Sequence, residues 1–128
     1  MQQAVTHGIR VSVETQYVED ESNSDESYYV FSYTITITNE SDGIAQLMSR
    51  HWVITNADGK TEEVRGPGVV GQQPILAPGE SFTYSSFCPL STPIGSMYGT
   101  YQVVKNSTET LEVKIPVFSL AVPHVLHC

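Results

Sequence analysis

The chain has 128 residues, of which 40% are hydrophobic and 16% are charged, and these proportions exclude an intrinsically disordered protein. Fourteen acidic residues against six basic ones give a formal net charge of −8, which argues against nonspecific binding of nucleic acid because phosphate backbones are repelled. We therefore expect one globular domain over residues 1–128.

The beginning of the chain, MQQAVTHGIRVSV, has neither the basic region nor the apolar run of a secretory signal. No stretch approaches the ~20 apolar residues that a membrane-spanning helix needs. These features predict a cytoplasmic protein that does not associate with membranes. In that compartment Cys88 and Cys128 are expected to be reduced thiols.

Apolar residues alternate with polar ones along most of the chain, which is the pattern of half-buried β-strands. In chain order the apolar positions are Ile9, Val11 and Val13; Phe31, Tyr33, Ile35 and Ile37; Trp52 and Ile54; Phe82 and Tyr84; Met97, Gly99, Tyr101 and Val103; and Leu111, Val113 and Ile115. Asp58-Gly59, between VIT and KTEEV, predicts a hairpin turn. About seven short antiparallel strands bury their apolar faces best as an all-β sandwich, with a barrel as the alternative.

Residues 19–26 contain five acidic side chains and follow the first predicted strand. Hard divalent cations prefer oxygen ligands, so this segment is a candidate cation site. Its spacing does not match an EF-hand, and a solvated connecting loop is the favoured interpretation.

Trp52 lies where immunoglobulin-like sandwiches keep a core tryptophan, and it shares a strand face with Ile54. His51 is expected on the opposite face, without an evident serine or cysteine partner; an arrangement with Cys88 as nucleophile is the alternative. The predicted core comprises Trp52, Phe31, Tyr33, Ile35 and Tyr101, with Val103 as a further neighbour.

The segment GPGVVG at 66–71 fits the pattern G-x-G-x-x-G but does not predict a dinucleotide site. That fingerprint needs a helix to begin at the turn, whereas Pro67 interrupts the motif and Pro74 and Pro78 follow closely. No acidic residue lies between Glu80 and Glu109, where the ribose-binding acid belongs. We interpret the glycines as permitting positive φ in a long loop that crosses from one sheet to the other. The alternative is an anion site made from backbone amides and Arg65.

Residues from Arg50 to Tyr101 closely resemble the ApaG family, and the resemblance extends over nearly the whole chain. The matching stretches are RHWVIT at 50–55, EVRGPGVVG at 63–71, Pro74, LAPGESFTY at 76–84 and TPIGSMYGTY at 92–101, with YYVFSYTITITN at 28–39 and PVFSLAVPHVLH at 116–127 outside the central run. The resemblance implies an immunoglobulin-like or fibronectin-III-like β-sandwich. Bacterial members are often called cobalt/magnesium efflux proteins, and ApaG domains within some eukaryotic proteins look like interaction modules. The resemblance identifies no catalytic residue in this sequence.

This sequence departs from the family pattern at four positions. Phe87 stands where the family usually has glycine, which argues against a positive-φ turn there. Glu21 and Ser24 replace the usual glutamine and proline, and Gln72 replaces a frequent glutamate.

The sequence predicts a non-enzymatic binding module without a cofactor, which contacts an unidentified protein partner through the 65–80 loop and the adjacent strand surface. The candidate binding residues are Arg65, Gly66, Gly68, Val69, Val70 and Gly71. One alternative is binding of a nucleotide or pyrophosphate by Arg65 and the loop amides. Another is divalent-metal homeostasis, for which His124, His127 and Cys128 are the candidate ligands, together with the 19–26 acids. The expected state is a monomer or a weak homodimer through an edge strand.

Overall fold

In the computed structural model, which describes residues 2–123, the chain forms two antiparallel β-sheets that pack face to face. The strands are β1 (Gln2–Thr6), β2 (Ile9–Tyr17), β3 (Tyr29–Asn39), β4 (Ala45–Asn56), β5 (Thr61–Pro67), β6 (Ile75–Leu76), β7 (Ser81–Leu90), β8 (Ile94–Lys105) and β9 (Glu109–Ala121). Two short 3₁₀ helices, Glu19–Glu21 and Ser24–Glu26, connect β2 to β3. The described residues form no helix long and apolar enough to cross a membrane.

The first sheet has the strand order β1-β2-β3-β7, and the second has the order β5-β4-β8-β9 with β6 also paired to β4. This confirms the predicted all-β sandwich. The described residues form nine strands instead of about seven, because β1 and β6 have neither the alternation of apolar residues nor the preceding Asp-Gly turn from which the other strands were predicted. β1 folds back onto β2 through the turn at His7-Gly8, and β6 consists of two residues that pair with Ala45 and Gln46.

Strand β3 illustrates why alternation produced a two-faced sheet. Its inward residues, Phe31 to Ile37 in steps of two, are buried in the core. Three of its outward residues are threonines whose hydroxyls form hydrogen bonds with hydroxyls of β7 across the ladder. These pairs are Thr34 with Ser85 at 2.7 Å, Thr36 with Thr83 at 3.0 Å and Thr38 with Ser81 at 2.8 Å.

The core is centred on Trp52, and all five residues expected in the core are buried. The Trp52 ring lies 5.4 Å from that of Tyr33 in the facing sheet, measured between centroids. It also lies 6.4 Å from Tyr101 and 5.9 Å from Phe118, both in its own sheet. These edge-to-face contacts are a favourable arrangement of aromatic rings.

The two sides of the sandwich differ. On one side β9 packs against β1 and β2, and the amide of Lys114 donates a hydrogen bond of 3.2 Å to the Thr6 hydroxyl. On the other side the edge strands β5 and β7 face each other across a cavity of about 280 Å³. The described sandwich is therefore closed along one side and open along the other.

The glycine segment does not cross between the sheets, so this part of the prediction is wrong. β5 and β6 both pair with the same edge of β4, and the glycine segment joins them along that edge. The crossing is made by the short stretch 77–80. There the amide of Gly79 donates to the Asn39 carbonyl (2.7 Å), and the amide of Asn39 donates to the Glu80 carbonyl (2.9 Å).

Candidate functional site

The glycine segment forms a tight turn between Val69 and Gln72. The two residues exchange backbone hydrogen bonds of 2.8 and 2.9 Å, and the central residues Val70 and Gly71 have φ values of 43° and 79°. Val69 is 0% exposed and belongs to the core, whereas Val70 is 52% exposed. The prediction that Val69 contacts a partner is therefore wrong, because its side chain anchors the turn to the sandwich.

Arg50 holds this segment against β4. Its Nη1 donates hydrogen bonds to the carbonyls of Pro67 (3.0 Å) and Gly68 (2.9 Å). Gly66 pairs with Arg50 across the ladder, and a Cβ on Gly66 would lie 3.0 Å from both terminal guanidinium nitrogens. A side chain at position 66 would therefore be in tight contact with the Arg50 guanidinium and would displace it slightly.

The amides of the glycine segment are mostly committed to the fold. The amide of Gly68 donates to the Met48 carbonyl at 2.8 Å, and those of Val69 and Gln72 donate to each other's carbonyls. Arg65 projects from β5 with its side chain 74% exposed, and it lies 3.7 Å from Glu63. The arrangement leaves few amides for an anion, so a site of the predicted kind has little support.

A cleft of about 450 Å³ lies on the outer face of the second sheet. It is lined by Arg65 of β5, His51 of β4, and residues of β8 and β9 that include Gln102 and Glu112. The Nε2 atom of His51 lies 2.7 Å from Glu63 Oε1. The cleft therefore combines basic and acidic groups on a largely flat strand surface.

His51 and Cys88 do not come together. His51 lies on the outer face of the second sheet, while Cys88 is buried on the inner face of the first. Burial, with a smaller contribution from the Glu62 charge, raises the pKa of the Cys88 thiol to about 11. The thiol is therefore protonated at neutral pH, which is the opposite of what a nucleophilic cysteine requires.

We call the cavity between the open edges the β5–β7 groove. Its floor is formed by core side chains, and its rim is formed by Val64 and Phe87, which are 40% and 65% exposed. The lining residues are Tyr33, Arg50, Trp52, Ile54, Glu62, Val64, Ser86, Phe87, Cys88, Pro89 and Met97. The groove is thus mainly apolar, with Arg50 toward one end.

The groove continues into a second cavity of about 230 Å³ that shares Ile54, Glu62 and Pro89 with it and adds Lys60. Arg50 forms no ion pair with any carboxylate of residues 2–123. Its charge acts on the buried hydroxyls of Tyr33, Tyr84 and Tyr101, whose pKa values are nevertheless raised because burial outweighs it.

Sequence reasoning missed the groove residues Arg50, Val64 and Phe87. Arg50 carried a signal, because it is a charged residue at an inward position two residues before Trp52. The sequence argued against a positive-φ turn at Phe87, and the structure confirms this. Phe87 lies within β7 and is not among the positive-φ residues.

The candidate metal ligands are not assembled in the described part of the chain. The 19–26 acids form two exposed 3₁₀ helices, and residues 2–123 contain no group of three or more His, Cys, Asp or Glu side chains placed to hold a metal. His124, His127 and Cys128 lie outside the described residues. A metal site at those residues stays a prediction.

Comparisons with known proteins agree with the fold. The family model described as the ApaG domain matches residues 19–105. A protein ApaG from Brucella anthropi is 57% identical over 123 residues, covering 96% of this chain and 95% of the relative. A protein ApaG from Bdellovibrio bacteriovorus is 52% identical over 127 residues, covering 99% and 100%. The crystal structure of an ApaA protein from Bordetella pertussis has a TM-score of 0.88 at 52% identity, covering 90% of this chain and 94% of that one. The chain therefore belongs to the ApaG family.

Proposed function

We propose that this protein is a non-enzymatic binding domain that contacts a cytoplasmic protein partner through the edge formed by β5, the Val69–Gln72 turn and β6. The observation that carries the proposal is a pair of exposed apolar side chains along this edge, Val70 and Ile75, which are 52% and 63% exposed. Isolated exposed apolar residues are common, but here they follow a sheet edge on which no described strand lies.

The edge is also rigid, which suits a recognition surface. Arg50 and Met48 fix the beginning of the turn, Val69 anchors its side chain in the core, and the side chain of Gln73 donates a 2.9 Å hydrogen bond to the Met48 carbonyl. A preorganised loop loses little conformational entropy on binding.

Site-specific photocrosslinking in living cells tests the proposal. Benzoylphenylalanine replaces Val70 or Ile75, and Val117 serves as the control because it is an apolar residue of β9 that is 64% exposed. We expect one covalent adduct with the same partner from positions 70 and 75 and none from position 117. The same adduct from position 117, or no adduct from the edge positions, contradicts the proposal.

Purified components then measure the contribution of the edge. A variant carrying Val70→Asp and Ile75→Asp should bind the crosslinked partner at least about tenfold more weakly, because two charges must be desolvated at the interface. Val117→Asp should bind as the wild type does. Val69 is left unchanged in this test, since an aspartate at a core position would unfold the domain.

A second candidate function is binding of a small anion in the outer-face cleft, which Arg65 and His51 favour. Glu112 lines the same cleft and Glu63 lies beside Arg65, and the negative charges of both residues disfavour binding of an anion. Calorimetry with pyrophosphate, ATP and diadenosine tetraphosphate tests it, with Arg65→Gln as the matched variant. Absence of heat at millimolar ligand removes this candidate.

A further inference from the structure

The free edge of β7 faces the β5–β7 groove. One edge of β7 is paired with β3 over ten residues, from Ser81 with Thr38 to Leu90 with Tyr29, and no described strand pairs with the other edge. An extended peptide can therefore add to β7 as a further strand. Pro89 has no amide hydrogen to donate, so the addition should be confined to the residues before it.

The groove presents three kinds of chemistry in a fixed order. The ladder between β4 and β5 places Arg50 beside Gly66, Trp52 beside Val64, and Ile54 beside Glu62. Successive pairs are two residues apart, or about 7 Å along the strands. A strand lying in the groove would therefore meet a positive, an apolar and a negative position with every second side chain.

Arg50 distinguishes this groove from the rest of the charged surface. Arg10 pairs with Glu40 at 2.8 Å, and Lys105 pairs with Asp42 at 2.8 Å, both on the exposed surface. Arg50 is half-buried, and within residues 2–123 its guanidinium is bonded only to carbonyls of the glycine segment. No carboxylate of residues 2–123 pairs with its guanidinium, so a partner carboxylate reaching it would gain a charge-assisted bond in an environment of reduced polarity.

Building on the proposed protein-binding function, we infer that the partner contributes an extended segment that pairs with the free edge of β7 and fills the β5–β7 groove. From the Arg50 end toward the Glu62 end, its inward side chains are an acid, an apolar residue over Trp52 and a base. The segment thus has the pattern acid-x-apolar-x-base, read in whichever direction the strand runs.

Selection from a phage-displayed library of random octapeptides tests this inference. We expect the peptides selected on the wild-type protein to be enriched in a carboxylate two residues from an aromatic or aliphatic side chain. Absence of enrichment, or a consensus without a carboxylate, overturns it.

Trp52 reports binding directly, because it is the single tryptophan of the chain and lies in the floor of the groove. A synthetic form of the selected consensus should change its fluorescence in a saturable way. Replacing the peptide's acid by its amide should weaken binding about tenfold, and Arg50→Gln should have the same effect on the protein side. Arg50→Lys, which keeps the charge, should bind more tightly than Arg50→Gln.

Arg50 also supports the turn, so two rim variants keep the test independent of folding. Val64→Asp should weaken binding of the peptide at least about tenfold while leaving Arg50 in place. Val117→Asp should leave the affinity for the peptide unchanged. Amide chemical shifts on peptide addition should change along Ser85–Phe87 and in β5. Equal binding by Val64→Asp, or changes confined to other strands, overturns the inference.

The two proposals can fail separately. Crosslinks from positions 70 and 75 without peptide enrichment would leave the protein-binding function standing and remove the groove. Selected peptides that occupy the groove, without crosslinks from positions 70 and 75, would support the groove and contradict the proposed partner-binding edge. A homodimer that Val64→Asp dissociates would identify the occupant as a second copy and overturn the inference.

Discussion

Trp52 and His51 are adjacent in sequence and have opposite environments. Trp52 contacts aromatic rings from both sheets, and its side chain closes the floor of the β5–β7 groove. His51 lies on the outer surface, where its ring contacts Glu63. Because successive side chains of a strand point to opposite faces, substitutions at these two positions test which face of β4 lies in the core.

Truncation of Trp52 is expected to be severe and truncation of His51 to be mild. Trp52→Ala should lower the free energy of unfolding by about 3–5 kcal/mol, because it removes a large buried ring and leaves a cavity. His51→Ala should cost less than about 1 kcal/mol. Urea denaturation of both variants measures this difference, and equal losses would contradict the assignment of the two faces.

Val70 adopts a conformation that its side chain disfavours. Its φ of 43° is in the left-handed region, where a β-branched residue is strained and asparagine or glycine is at ease. Val70→Asn should therefore stabilise the protein by about 1 kcal/mol, although the substitution removes an apolar side chain. Thermal unfolding measures the change, with Val117→Asn as the control for loss of an exposed valine. A lower midpoint for Val70→Asn would show that the valine side chain contributes more than its strain costs.

At the scale of elements, a contact between β4 and β5 is one of those that hold the glycine segment. Gly66 leaves the space that the Arg50 guanidinium occupies, and Arg50 in turn bonds to the carbonyls of Pro67 and Gly68. The entry into the Val69–Gln72 turn is therefore fixed by a residue of another strand.

A double-mutant cycle between Gly66 and Arg50 tests this dependence. Gly66→Ala alone should destabilise by about 1 kcal/mol, since the new Cβ displaces the guanidinium and weakens its hydrogen bonds to the glycine segment. In an Arg50→Ala background the same substitution should be nearly neutral, because nothing remains to be displaced. Additive losses in chemical denaturation would mean that the two residues act independently.

The sequence predicted the strands that have a recognisable residue pattern, and it missed the strands that are defined only by pairing with a neighbouring strand. The six strands with alternating apolar residues are present because a period of two places one face in the core, and β5 is present because it follows the predicted Asp58-Gly59 turn. β1 and β6 were not predicted because β1 has no alternation of apolar residues and β6 has only two residues, so pairing with a neighbouring strand defines both. The short crossing at 77–80 was assigned to the glycine segment, because the sequence does not reveal that β5 and β6 share one edge of β4.

The candidate site was less predictable than the fold for the same reason. Arg50 and Gly66 are paired by strand register, and Val64 and Phe87 face each other from different sheets. Register and sheet packing are properties of the folded molecule. The glycine motif drew attention to the correct region of the chain, but it did not distinguish the buried Val69 from the exposed Val70.

At the scale of the whole molecule, three buried groups that ionise at alkaline pH make the stability of the fold decrease in that range. The hydroxyls of Tyr84 and Tyr101 form a short hydrogen bond that joins the first sheet to the second. Burial raises the pKa values of both hydroxyls, and it also raises the pKa of the Cys88 thiol from 9.0 to about 11. The folded state therefore holds these protons more tightly than the unfolded state does.

These three groups should contribute a constant amount to the free energy of unfolding below about pH 8, and their contribution should fall as the pH rises from about 9 toward 11. Cys88 alone should account for roughly 2 kcal/mol at pH 10.5, and the tyrosines add to the loss above pH 10. Urea titrations at pH 8.0 and 10.5 measure the loss, and Cys88→Ala should reduce it. A stability that does not change over this range would contradict the buried, protonated state of these groups.

The open side of the sandwich also bears on how related proteins can diverge. The floor of the β5–β7 groove consists of core side chains, whereas its rim consists of Val64 and Phe87, which the core does not need. Substitution of a floor residue alters both the groove and the stability of the fold, but substitution of a rim residue alters the groove alone. The resemblance described from the sequence implies a glycine at the position of Phe87. On the proposal that the groove binds a peptide, members with this fold would acquire different binding preferences through one or two rim residues while the sandwich stays unchanged.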